Sequence, residues 1–181
     1  MKTLVQISNR HAHLTKKVYK KLFGNTNIMV KRYLNQKGEY ASFSKIDIEY
    51  NGKVIRNITV VGPFRKYNQV ELLKSDLEYL EIDEYVRKSS DIEGTPGITL
   101  IKNNNKVTIS QGVIRSQRHI HMNKNTAKKI GVSNNEKVIV NNLFDAYIKV
   151  SKNGYYELHI DKDEAKEFNL SSGDEIEFKK I

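Results

Sequence analysis

Hydrophobic and polar residues alternate along two long stretches of this chain. In "YASFSKIDIEYNGKVIRNITVVG" (40–62) the alternation has period two and is interrupted at Asn51-Gly52, the signature of a tight hairpin. The stretch "TLIKNNNKVTISQGVIRSQRHIHM" (99–122) reads the same way. Between them, "SSDIEGTPGITL" carries turn punctuation at Gly94, Pro96 and Gly97. Helical periodicity is confined to short pieces. Thr15 and Asn123 are N-cap types ahead of lysine-rich helical segments. Ser75 with Glu78, and Asp161 with Glu164, have capping-box spacing. The pattern predicts a mainly β protein with four or five short α-helices.

The pattern also repeats. "SNRHAHLTKK" from Ser8 and "SQRHIHMNKN" from Ser116 share Ser8/Ser116, Arg10/Arg118, His11/His119, His13/His121 and Lys16/Lys124. Lys20/Lys128 and Lys21/Lys129 extend the match. Each copy reads as an extended His-x-His, a polar cap and a short helix. A second echo sets Val70–Ile82 against Leu158–Leu170, strand into helix, and puts Glu71 opposite His159. A third sets Ile130–Val140 against Phe168–Phe178, helix end into strand. These echoes predict two structural units related by internal duplication.

Composition narrows the class. The chain has 181 residues, 38% of them hydrophobic and 29% charged, which fits a folded domain or two small ones. No run approaches the roughly 18 apolar residues of a membrane span, and no signal-peptide h-region precedes His11. A cytoplasmic protein without a membrane partner is expected. There is no cysteine, which excludes disulfides, cysteine nucleophiles and cysteine-ligated zinc. The net charge of +10 is spread as lysines over the helical segments, a solvated surface able to attract a small polyanion. No helix-turn-helix, RNP or zinc-finger phrase supports nucleic-acid binding.

The histidines carry the candidate chemistry. Residues i and i+2 of a strand share a face, so His11 and His13 project together, as do His119 and His121. Two adjacent imidazoles begin a metal site, and a third ligand comes from a distant strand. The repeat offers Glu71 to the first pair and His159 to the second, giving two sites of different charge. The alternative is that Arg-His-x-His is a relic of duplication, with the rings satisfied by hydrogen bonds. Arg65, behind the Gly62-Pro63 turn and ahead of Glu71, is either an anion-binding guanidinium or a surface ion pair.

Five phrases, "SNRHAHL", "GPFRKYNQVE", "EGTPGI", "GVIRSQRHIHM" and "ELHIDKDEA", cover almost the whole chain. With them the sequence resembles the PduL-type phosphate acyltransferases, the phosphotransacylase family that includes phosphate propanoyltransferase. The resemblance implies reversible transfer of a short acyl group, propionyl or acetyl, between coenzyme A and inorganic phosphate. It implies two Zn²⁺ ions per chain, one on His11, His13 and Glu71 and one on His119, His121 and His159. It gives Arg65 the phosphate and a catalytic role, and Ile7, Ser8 and Asn9 the coenzyme A contact. The family's basic contacts to coenzyme A fall here on Asn51 and Thr59, with Lys53 or Arg56 as substitutes, and a family Asn falls on Lys166.

The implied fold is two β-barrels capped by short helices, with the chain crossing between them. One barrel would take residues 1–9 and 118–181, the other residues 10–117, with the active site at their junction. The resemblance further implies a homodimer. Only ten residues precede His11, so no microcompartment-targeting extension is evident. Zinc as a Lewis acid suits an acyl carbonyl and a coenzyme A thiolate, and Arg65 would position phosphate for direct attack. Two other classes compete: a zinc-dependent hydrolase using the same ligands, and a lysine-rich nucleic-acid-binding barrel. Nothing in these motifs separates acetyl from propionyl substrates.

Overall fold

The computed structural model describes all residues, 1–181. In chain order the elements are β1 (Lys2–Ser8), β2 (His11–His13), α1 (Lys16–Phe23), β3 (Val30–Tyr33), β4 (Tyr40–Tyr50), β5 (Lys53–Gly62), β6 (Gln69–Glu71) and α2 (Lys74–Leu80). Then come β7 (Val86–Arg87), β8 (Ile98–Lys102), β9 (Asn105–Ile109), β10 (Val113–Ser116), β11 (His119–Met122) and α3 (Lys124–Ile130). The chain ends with β12 (Lys137–Val140), β13 (Phe144–Val150), β14 (Glu157–Asp161), α4 (Lys162–Glu167) and β15 (Glu175–Lys180). No helix is long and apolar enough to cross a membrane.

Two compact units form. The first comprises Met1–Asn9, Asn35–Lys37 and Gln117–Ile181. Its six strands close a barrel in the order β1-β14-β11-β13-β12-β15. Closure comes from β1, which pairs parallel with β14 and antiparallel with β15. Period-two alternation fills the interior with Val5, Ile120, Met122, Val138, Val140, Ala146, Ile148, Leu158, Ile160, Ile176 and Phe178. The intervening positions of β11 and β14 are His119, His121, Glu157 and His159, so these polar side chains face away from the apolar core.

The second unit comprises Arg10–Leu34 and Gly38–Ser116. Its nine-stranded sheet runs β7-β10-β6-β2-β5-β4-β8-β9, with β3 added to β4. Asn51 and Gly52, both at positive φ, turn β4 into β5 with Tyr50 opposite Lys53. The core gathers Ala12, Leu14, Ile46, Ile48, Ile58, Val60, Val70, Leu72, Leu77, Leu80 and Leu100. Where two closed barrels were expected, only the first unit closes. The second ends on β7, two residues long, and on β9, beside which α1 packs, Asn105 Nδ2 donating to the Leu22 carbonyl at 2.9 Å. Neither terminal strand pairs with the other.

The caps explain the helix boundaries. Thr15 accepts from the Val18 amide and Asn123 from the Thr126 amide, and Gly24 and Gly131 end α1 and α3 at left-handed φ values of 76° and 74°. Asp161 and Glu164 form the expected reciprocal box on α4. The box expected at Ser75 and Glu78 is displaced by two residues. The N-cap of α2 is Leu73, whose side chain cannot accept, and Asp76 alone closes the motif by accepting from the Leu73 amide at 3.1 Å.

The duplication survives as topology. β2 pairs parallel with β5 and antiparallel with β6, and β11 pairs parallel with β13 and antiparallel with β14. On the far side, β6 takes β10 as a parallel neighbour and β14 takes β1. Because β1 leads into β2 and β10 into β11, the strand before each His-x-His belongs to the other unit's sheet.

Candidate metal centres and Arg65

The antiparallel register of β2 and β6 sets His11 directly against Glu71. His11 Nε2 lies 3.6 Å from one carboxylate oxygen of Glu71, and His13 Nε2 lies 3.9 Å from the other. The two rings meet edge-on, with centroids 5.0 Å apart. Burial, reinforced by the neighbouring His11, pushes the His13 imidazole down to about 3, against a smaller opposing pull from Glu71. His13 is therefore a neutral ring with a lone pair to offer.

The register of β11 and β14 sets His119 directly against His159 in the same way. These rings stack at 4.9 Å with 14° between planes, and His121 meets both at a steep angle, with centroids 5.7 and 5.8 Å away. His119 Nδ1 donates to the Gln117 carbonyl at 2.8 Å, which leaves the lone pair on Nε2. His121 Nε2 shares a 2.9 Å hydrogen bond with Ser151 Oγ. Burial, with His159 beside it, holds His119 well below the ordinary imidazole range. Burial, with Lys149 beside it, takes His121 down to about 3.

Within each triad, His11/His13/Glu71 and His119/His121/His159, the donor atoms all lie within 4.8 Å of one another. Imidazoles grouped this closely, with or without a carboxylate, suit a cation. Two imidazoles with a carboxylate, and three imidazoles, are donor sets that suit zinc and similar divalent ions. Either triad could hold one. Each leaves a coordination position to spare.

Arg65 follows the Gly62-Pro63 turn, and its amide is tied to the Leu14 carbonyl at 2.9 Å, at the end of the histidine strand. Its guanidinium meets Glu39 at 2.5 Å and donates to the Tyr67 hydroxyl at 3.2 Å. It is one of the charges that act on His13. Glu39 was invisible in the sequence because it lies 26 residues from Arg65, whereas Tyr67 is only two residues on.

Other expected positions are less closely associated. Ile7 and Ser8 close β1, the Ile7 amide donating to Ser172 Oγ at 3.2 Å and Ser8 Oγ to the Ile160 carbonyl at 3.3 Å. Asn9 is the exposed residue at the crossing between units. Of the expected coenzyme A substitutes, Lys53 is paired with Glu81 at 2.7 Å and Arg56 lies 4.0 Å from Asp47. The base beside Thr59 is instead Lys45, from the adjacent strand, at 3.0 Å. Asn51 forms the hairpin turn, and Lys166 is exposed on α4.

The arginine of the doubled phrase has a role that the sequence did not reveal. Arg10 grips Asp76 through Nε at 2.8 Å and a terminal nitrogen at 2.6 Å. Arg118 reaches Glu164 at 3.3 Å. Asp76 and Glu164 are the acids at the third position of α2 and α4. Each arginine therefore ties the start of a His-x-His strand to the helix that follows the third donor.

Comparison with known proteins adds a family. The phosphate propanoyltransferase family model matches residues 4–171. Similar proteins named phosphate propanoyltransferase come from Thermotoga maritima, 38% identical over 94% of this chain and 86% of that protein, and from Citrobacter freundii, 38% identical over 88% and 80%. Another, from Listeria monocytogenes, is 38% identical over 93% of this chain and 83% of its own length. The match begins in the first barrel strand and runs past the last helix, taking in both triads and Arg65, and this chain belongs to the phosphate propanoyltransferase family.

Proposed function

We propose that this protein transfers a short acyl group, propionyl or acetyl, reversibly between coenzyme A and inorganic phosphate, giving acyl phosphate and coenzyme A. The observation that carries the reading is the pair of triads, built by the same strand register in each unit of a chain that belongs to this family. His11, His13 and Glu71 would hold one Zn²⁺, and His119, His121 and His159 a second. A divalent ion bound there would supply Lewis-acid polarisation of the acyl carbonyl.

The chain's own groups do the positioning. Arg65 takes phosphate with a planar guanidinium, which carboxylates and phosphates both fit bidentately. Glu39 holds that guanidinium in the meantime, at 2.5 Å, and Tyr67 limits its rotation. Phosphate therefore enters a preformed anion position and presents its oxygen to the acyl carbon without a search. Ile7, Ser8 and Asn9 contact coenzyme A, and Lys45 offers a cation to its phosphates beside Thr59. Transfer is direct, with no acyl group resting on a side chain.

The test combines elemental analysis with an assay of coenzyme A release from acetyl- and propionyl-CoA. Two metals per chain and strict dependence on phosphate are expected. Release of free acid without phosphate would identify a hydrolase instead.

A further inference from the structure

The residue two before each third donor is a buried polar side chain: Gln69 ahead of Glu71, and Glu157 ahead of His159. Strand alternation puts each on the same face as its third donor. Register puts Gln69 opposite His13 and Glu157 opposite His121. The two residues thus occupy one position in the duplicated topology, beside the third donor and across from the second histidine.

Both are held, and both hold something. Gln69 Nε2 donates to Glu71 Oε1 at 2.6 Å and to Ser89 Oγ at 3.1 Å, while its Oε1 accepts from the Ser90 amide at 2.7 Å. That backbone donor fixes which end of the amide faces Glu71. Glu157 Oε1 lies 3.0 Å from His159 Nε2, and its Oε2 accepts from Asn35 Nδ2 at 2.9 Å. A carboxylate can only accept, so in this contact His159 Nε2 is the donor.

We propose that Gln69 and Glu157 are paired positioning residues, Gln69 fixing the carboxylate of Glu71 and Glu157 fixing the ring and tautomer of His159 for metal donation. The inference rests on the reading of the triads as metal sites. It also bears on the expectation of two sites of different charge. Each site has one carboxylate, inside the donor set at the first and directly behind it at the second. The change from Glu71 to His159 is accompanied by the change from Gln69 to Glu157, so each pair of positions keeps one carboxylate.

The test uses the full chain with Glu157→Met and Gln69→Met, which keep side-chain volume and remove the polar contact, and Glu157→Gln, which keeps an acceptor. Zn²⁺ affinity is read by chelator competition, Co²⁺ absorption reports ligand geometry, and thermal unfolding of the metal-free proteins reports folding. Wild type should load two ions. Each Met variant should weaken one ion about 10–100-fold and leave the other unchanged, with an altered Co²⁺ spectrum and no loss of metal-free stability. Glu157→Gln should recover most of the affinity. Two ions bound with wild-type affinity and spectra in both Met variants would overturn the positioning role. So would weakened binding that merely tracks lost metal-free stability. A wild type that binds no ion would instead remove the metal reading of the triads, and this inference with it.

Discussion

Replacing Arg10 by alanine tests whether the arginine of the doubled phrase is structural. The change removes two short contacts to Asp76, at 2.8 and 2.6 Å, from a carboxylate whose side chain is 6% exposed. Breaking a fully buried pair typically costs about 3–5 kcal/mol, because the remaining charge is stranded. Two features reduce that figure here. The Arg10 side chain is 34% exposed, so solvent screens the pair, and Asp76 keeps the Leu73 amide at 3.1 Å. A loss of about 2 kcal/mol is expected, roughly a thirtyfold shift in the folding equilibrium. Urea unfolding of the metal-free protein measures it, with Asp76→Asn and the double variant completing a cycle. Arg10→Ala with Asp76→Asn should cost less than the two single changes added together. As a control, Lys2→Ala, which removes a bridge to Glu175 between side chains more than half exposed, should leave the transition unmoved. A loss under about 0.5 kcal/mol, or strict additivity in the cycle, would refute the clamp.

Other perturbations separate the parts of the site. Arg65→Ala should raise the apparent KM for phosphate tenfold or more while elemental analysis still finds the full metal complement. His159→Ala should lose one ion of two and leave the other's affinity unchanged. Gly112→Ala should weaken the first triad: its φ of 127° is strained for alanine, and a Cβ there would collide with the Asn68 carbonyl, just ahead of the strand bearing Glu71. Metal titration should then show the loss at His11, His13 and Glu71 only. Removing residues 1–9 should damage the second triad, although the cut lies beside His11 in sequence. It takes away β1, which flanks His159 and closes the barrel, and loss of Zn²⁺ from the His119 set is the readout.

Much of the site was legible because the chemistry rests on residue type at strand spacing. His-x-His has period two, and the echo that aligned Val70–Ile82 with Leu158–Leu170 already set Glu71 opposite His159. That same alignment sets Leu73 opposite Asp161 and Asp76 opposite Glu164. Residue type alone favours Ser75 and Glu78 as the capping box of α2, whereas position in the repeat points to Leu73 and Asp76. The partners of Arg10 and Arg65 were not legible, since Asp76 lies 66 residues from Arg10 and Glu39 lies 26 residues from Arg65. Local patterns carry no distance of that kind. Barrel closure was hidden for a related reason: alternation predicts strands, but closure depends on which terminal strands pair. In the second unit α1 packs beside one terminal strand and the other is only two residues long.

The exchange of strands explains why the two triads could diverge while staying matched. Each third-donor strand has three jobs: pair with its own His-x-His strand, accept a parallel neighbour, and launch a helix whose third residue binds an arginine. Register and caps constrain the backbone for all three, but they leave the outward-facing side chains free to vary. Two such positions occur on each strand, at Gln69 and Glu71 and at Glu157 and His159. A neutral side chain at one is matched by an acid at the other in both copies, so one carboxylate stands in or beside each triad. The duplicated scaffold therefore permits the acid to exchange places within the pair: at Glu71 it belongs to the donor set, and at Glu157 it stands behind His159.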